Sequence, residues 1–179
     1  KEANAGNVIL DIKIGEDHFD LSDNSIYSLL FSACKTYLAV GVKVEGPEDK
    51  IYQRVLVYKI DYQQRAAKLH KDFEEFYIKE RCQIVFGSIN NQCLLAVANN
   101  KGEIKVKNNE GENSILTNKG QITITNLTQG NDVTTEFSTG YFHNSILSFD
   151  ERSGKLISAD KKMVTIFSLK LDGGPLKIE

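Results

Sequence analysis

Nearly the same eight letters occur three times in this chain: NNKGEIKV at 99–106, TNKGQITI at 117–124 and ADKKMVTI at 159–166. Each copy follows an apolar run, Leu94-Leu95-Ala96-Val97, Ser114-Ile115-Leu116 and Lys155-Leu156-Ile157. Asn and Gly tolerate the positive φ that a tight hairpin turn requires. Beyond the turn the residues alternate with a period of two. Ile104 and Val106, Ile122 and Ile124, and Val164 and Ile166 take one face, while Glu103, Lys105, Gln121, Thr123, Met163 and Thr165 take the other. Each copy therefore reads as an apolar strand, a turn and a half-buried strand, so the chain is expected to be built from repeated β-hairpins.

Strand signals fill most of the remainder. VILDIKI at 8–14 alternates, Ile26–Phe31 and Tyr37–Val42 are apolar runs joined by a small polar link, and Arg54–Ile60 is rich in β-branched residues. Further short strands are expected at 83–89, 92–98, 104–107, 114–117, 121–126, 134–138, 146–149, 155–159 and 163–169. This density of short strands predicts an all-β fold rather than an α/β enzyme core. The stretch 63–81 (QQRAAKLHKDFEEFYIKER) breaks the rhythm. Its Ala66, Leu69, Phe73, Phe76 and Tyr77 fall at helical spacing, and two alternatives fit: an inserted helix packed on the sheet, or a long irregular outer strand.

Spacing narrows the architecture. Lys119 to Lys161 is 42 positions, and Arg54 to Gly102 is 48, both near the roughly 40–45 residues of one four-stranded propeller blade. Lys101 to Lys119 is only 18 positions, too short for a blade. The expected fold is a partial β-propeller with blades of four antiparallel strands. Its inner strands are Ile26–Phe31, Gln83–Ile89 and Ile146–Phe149, and residues 1–179 form one propeller-like region of a larger protein. A sandwich or barrel is the rival. The only Met is Met163, so the native start is expected to lie outside this sequence.

Two passages, LLFSACKTYLAVGV followed by RVLVYKID, and ILSFDERSGKLISADKKMVTIFSL, resemble degenerate WD-type repeats. The chain has no Trp, and Gly87-Ser88 and Gly140-Tyr141 stand apart from the Gly-His that such repeats carry. The order Tyr37–Val42, then Glu45-Gly46-Pro47-Glu48, then Arg54–Ile60, then Leu94-Leu95-Ala96 is similar to the C-terminal propeller of one family. Its members include the large subunits of cleavage and polyadenylation specificity factor and of damaged-DNA-binding protein. The likeness spans residues 26–107, with Gln53-Arg54 where that family has Gly-Arg. It implies a nuclear scaffold that holds partner proteins without catalysis.

The chemistry-bearing residues agree with a non-catalytic reading. No nucleophile elbow, phosphate loop, dinucleotide fingerprint or zinc-protease motif is present. His18, His70 and His143 lack partners at metal-ligand spacing, and the acidic run 16–23 lacks the Gly and Glu positions of a calcium loop. Glu103, Glu110 and Glu112 offset Lys101, Lys105, Lys107 and Lys119, and the net charge is −2. Direct nucleic-acid contact is therefore not expected. No run approaches the length of a membrane helix. Cys34, Cys82 and Cys93 lie in or beside apolar runs without CxxC spacing and read as buried free thiols of a reducing compartment. Asn126-Leu127-Thr128 is a chance-level glycosylation triplet.

The sequence thus predicts no cofactor, no metal and no enzyme activity. It predicts a scaffold for other protein subunits in an intracellular assembly, nuclear or cytoplasmic. The partner-binding candidates are Leu69, Phe73, Phe76 and Tyr77 on the 63–81 segment, and Glu48 and Asp49 in the 43–53 loop. A sandwich or barrel subunit of a large complex and a propeller-based enzyme or ligand binder are the alternatives.

Overall fold

The computed structural model describes residues 12, 14, 21–45, 51–77, 83–99, 104–108, 111–115, 120–128, 133–140, 146–159, 163–171 and 176–178. These residues are all-β. Sheet 1 is formed by β1 (Leu21–Phe31), β2 (Tyr37–Glu45), β3 (Ile51–Asp61) and β4 (Ala66–Tyr77), in chain order and antiparallel throughout. β5 (Gln83–Ile89) and β6 (Gln92–Asn99) begin sheet 2. The chain then leaves it for a separate hairpin of β7 (Ile104–Asn108) and β8 (Gly111–Ile115), and returns as β9 (Gly120–Asn126) and β10 (Val133–Gly140). Sheet 3 is β11 (Ile146–Asp150), β12 (Lys155–Ala159), β13 (Val164–Lys170) and β14 (Lys177–Ile178).

The inserted hairpin accounts for the 18-position interval. β6 pairs with β9, not with β7, and β8 pairs with β7, not with β9. The first two eight-residue copies are therefore not hairpins with the apolar runs that precede them. Only the third is, with Ala159 opposite Val164. Period-two alternation assigns faces and is silent on partners, so it reads the same whether a strand pairs with its predecessor or with one beyond an insertion.

Of the two alternatives for 63–81, the long irregular outer strand is the one formed: β4 occupies the centre of the segment, and its described residues 63–77 contain no helix. Two bulges explain the helical spacing. Opposite β3 an extra residue enters β4 between the Tyr58–Leu69 and Val57–Lys71 pairs, and another between Val55–Phe73 and Gln53–Phe76. Each bulge inverts the facing of the residues beyond it. Leu69 and Phe73, four apart, consequently lie on opposite faces: Leu69 packs with Tyr58 and Phe73 packs beside Val55 and Val57. On the Leu69 face, Arg54 donates from its guanidinium to the Asp72 carboxylate, with Nε 3.2 Å from Oδ1. Turn chemistry is local where it can be seen. Asn90 and Asn91 both take positive φ between β5 and β6, as a two-residue primed turn demands.

The three sheets stack in order. One face of sheet 1 (Tyr37, Ala39, Val55, Val57, Phe73) meets one face of sheet 2 (Ile84, Cys93, Leu95, Val97). The opposite face of sheet 2 (Leu94, Ala96, Ala98, Ile122, Ile124) meets sheet 3 through Leu147, Leu156 and Leu169. The far face of sheet 1 (Leu38, Val40, Val42, Leu56, Tyr58) is covered by Ile12 and Ile14. First strands lie side by side, β1 against β5 and β5 against β11, and these are the strands expected as inner. A central sheet buried on both faces explains why Thr123 and Thr125 are buried together with Ile122 and Ile124.

Candidate interaction surface

Of the expected partner-binding residues, Leu69 and Phe73 have side chains among the described residues. Phe73 is in the core between sheets 1 and 2, and Leu69 is half-buried against the far face of sheet 1. Both contribute to the protein's own packing. Phe76 and Tyr77 occupy β4 opposite Gln53 and Tyr52, and their side chains lie outside the described residues. Glu48 and Asp49 lie outside them altogether. The 43–53 loop is shorter than expected, because β2 runs to Glu45 and β3 starts at Ile51. Among the histidines only His70 is described, and its ring sits 5.3 Å from that of Tyr37.

The tip of the β3–β4 hairpin encloses an open groove of about 930 Å³ lined by Lys59, Asp61, Tyr62, Gln63, Lys68 and His70. Its carboxylate is already engaged: Asp61 Oδ1 accepts the backbone N–H groups of Gln63 at 2.9 Å and Gln64 at 3.0 Å, which fixes the turn. Among the described residues no group of three or more His, Cys, Asp or Glu side chains is arranged to hold a metal.

Apart from Tyr62 in this groove and Met163 ahead of β13, the exposed large apolar residues among those described sit elsewhere, on the outer faces of the end sheets. On sheet 3, Ile157 is opposite Ile166 and Ala159 is opposite both Ile146 and Val164, so these side chains share one face. Val164 is 67% exposed and Ile166 57%, and Ile146 is also exposed. The equivalent positions of the same eight-residue word in sheet 2 are Ile122, opposite Ala98, and Ile124, opposite Ala96. These are 0% and 1% exposed, because sheet 3 covers them. Two copies of one word in the third strand of successive sheets thus differ only in what lies above them. At the other end, Ile26, Leu29 and Phe31 of β1 are exposed. Leu29 and Phe31 repeat a spacing seen in Ile84 and Phe86 and in Leu147 and Phe149, aliphatic-x-Phe in each first strand. Those later pairs pack into the cores between sheets.

The alternation of β13 marks Val164 and Ile166 as facing one way. It carries no sign of whether that face is covered. The triplet at 126–128 is structural: Asn126 is buried and donates from Nδ2 to Gln92 Oε1, while Thr128 Oγ1 accepts the Cys93 N–H at 2.8 Å. No helix among the described residues is long and apolar enough to cross a membrane. Compared with known proteins, the chain matches no protein-family model and no curated protein sequence.

Proposed function

We propose that the chain is a three-blade arc of a WD-like β-propeller and acts as a non-catalytic scaffold for other protein subunits in an intracellular assembly, nuclear or cytoplasmic. The single observation that carries this reading is the contrast between Ile122 and Ile124, buried beneath the next sheet, and Val164 and Ile166, open to solvent in the same positions. Stacked four-stranded meanders with adjacent first strands support radial repetition, and common propellers have 4 to 8 blades. The apolar face of sheet 3 docks a further antiparallel sheet supplied by a partner subunit, in the manner that sheet 3 itself docks on sheet 2. Each aliphatic side chain transferred from water to such an interface contributes about 1.5–3 kcal/mol, and a rigid sheet orders little on binding.

Sedimentation velocity tests this reading. The unaccompanied chain is expected to self-associate as its concentration rises, and the V164D/I166D double variant to sediment as a folded monomer. A wild-type chain that stays monomeric at high concentration, with the same profile as the variant, contradicts a docking role for this face.

A further inference from the structure

Each sheet of the stack has two unlike faces, and the same two faces recur in all three sheets. On the face turned toward the preceding sheet, the first strand carries an aliphatic residue and, two positions on, a Phe. In sheet 2 these are Ile84 and Phe86, opposite Val97 and Leu95, and they pack against sheet 1. In sheet 3 they are Leu147 and Phe149, opposite Ser158 and Leu156, and they pack against sheet 2. In sheet 1 they are Leu29 and Phe31, opposite Val40 and Leu38, and among the described residues no sheet precedes them. Leu29 is 61% exposed and Phe31 55%, against 8% for Ile84 and 9% for Leu147. Ile12 and Ile14 pack against this face of sheet 1 and leave its first strand open.

On the face turned toward the following sheet, an Ala of the second strand stands opposite a β-branched residue of the third. The pairs are Ala39 with Val57, Ala96 with Ile124 and Ala159 with Val164. Directly opposed residues share a face. The first two pairs are buried where the next sheet packs on them. The third lies on the open side of sheet 3, where Ile146, Val164 and Ile166 are exposed. The two ends of the stack are therefore the two halves of a junction that the chain already builds twice.

We infer that a second copy of this chain supplies the complementary half at each end. Sheet 1 of each copy docks on the outer face of sheet 3 of the other, which closes a ring of two copies. This rests on the docking role proposed above for sheet 3 and names its partner. An unrelated partner would have to match one end only, whereas this chain carries the match to both. The contact joins unlike faces, so it is head-to-tail and yields either a closed ring or an open filament. With three four-stranded sheets per copy, two copies supply six, within the roughly 4 to 8 blades of closed propellers. One copy falls short of that range and three exceed it. First strands lie side by side at both internal junctions, β1 with β5 and β5 with β11. The same arrangement sets β11 of one copy beside β1 of the other, with Ile146 toward Leu29 and Phe31. Apolar side chains at both ends leave water together, which drives the contact, and regular strands order little on docking.

Sedimentation velocity on two variants, alone and mixed, tests the inference. L29D/F31D spoils the sheet 1 end and V164D/I166D the sheet 3 end, all at exposed positions, and circular dichroism confirms that each variant is folded. The wild-type chain is expected to reach twice the chain mass and to stop there as its concentration rises. Each variant alone is expected to stay monomeric. Mixed in equal amounts, the two are expected to recover a two-copy species, because one junction then has both halves intact. The uncharged variants L29S/F31S and V164T/I166T repeat the mixing without carboxylates at the spoiled junction, and are expected to associate about tenfold more weakly alone than mixed. A dimer that survives L29D/F31D but not V164D/I166D, with no recovery on mixing, means that sheet 3 docks on its own equivalent. That result overturns the inference and leaves the docking role of sheet 3 standing. Growth beyond two copies, or no recovery in either mixture, also overturns it. A wild-type chain that stays monomeric overturns the inference and the docking role together.

Discussion

The ring of Phe149 lies directly over Gly87, so close that a Cβ built on the glycine would stand 2.3 Å from the ring atoms. Phe149 is on the first strand of sheet 3 and Gly87 on the first strand of sheet 2, so the two sheets are in close contact along these strands. Gly87→Ala is therefore expected to force the sheets apart there and to destabilise the protein by about 1–3 kcal/mol, as overpacking does. Urea unfolding checks this. An unchanged midpoint would mean that β5 and β11 do not pack against one another at Gly87.

Tyr37 makes the corresponding link between sheets 1 and 2 by a polar contact. Its side chain is buried, and its hydroxyl donates to the Leu127 carbonyl. Tyr37→Phe keeps the ring and leaves that carbonyl without its donor, at an expected cost of about 1–3 kcal/mol. Chemical denaturation of the two proteins measures it.

The place of Phe73 in the core gives a third expectation. Phe73→Ala opens a cavity between sheets 1 and 2 and is expected to cost about 3–5 kcal/mol in stability. V164D/I166D, on an open face, is expected to leave the unfolding midpoint nearly unchanged. Reversed effects, with Phe73→Ala silent and the double variant unfolded, would refute both placements.

The thiols make stability depend on alkaline pH. The Cys93 thiol, ordinarily at 9.0, rises to about 12 in the fold, so the folded state retains a proton that the unfolded state releases. Its contribution is complete below about pH 9 and is lost as pH rises toward about 12, at up to about 1.4 kcal/mol per pH unit. Cys34, lowered in the fold, acts in the opposite sense over the range just below 9.0. Urea midpoints measured from neutral to alkaline pH are expected to fall above pH 9 more steeply in the native chain than in C93S.

Particular residues show what the sequence discloses and what it hides. Arg54–Ile60 and Gln92–Ala98 are legible as strands because β-branched and apolar runs bounded by polar turns have few other folds. The three first strands are legible because each ends in an apolar run closely followed by a turn, although β1 begins at Leu21, ahead of the run at 26–31. The 42-position step from Lys119 to Lys161 correctly matches the third strands of sheets 2 and 3. Pairing is another matter. Ile104 and Val106 alternate as well for a partner in β6 as for the actual one in β8. The two bulges of β4 are set by register against β3 and leave only a misleading helical spacing in the sequence. The outer face of sheet 3 is hidden for a simpler reason: Val164 and Ile166 look like Ile122 and Ile124, and only the stacking order tells a covered face from an open one.

Equivalent positions of one repeated word are closed in sheet 2 and open in sheet 3, and the scaffold reading rests on that difference. Native-state alkylation of single cysteines, Ile122→Cys and Val164→Cys in an otherwise cysteine-free chain, probes it at the two positions themselves. The thiol at position 164 is expected to react near the rate of a free thiol, while that at position 122 reacts only on unfolding, slower by orders of magnitude. Equal rates at the two positions would contradict it.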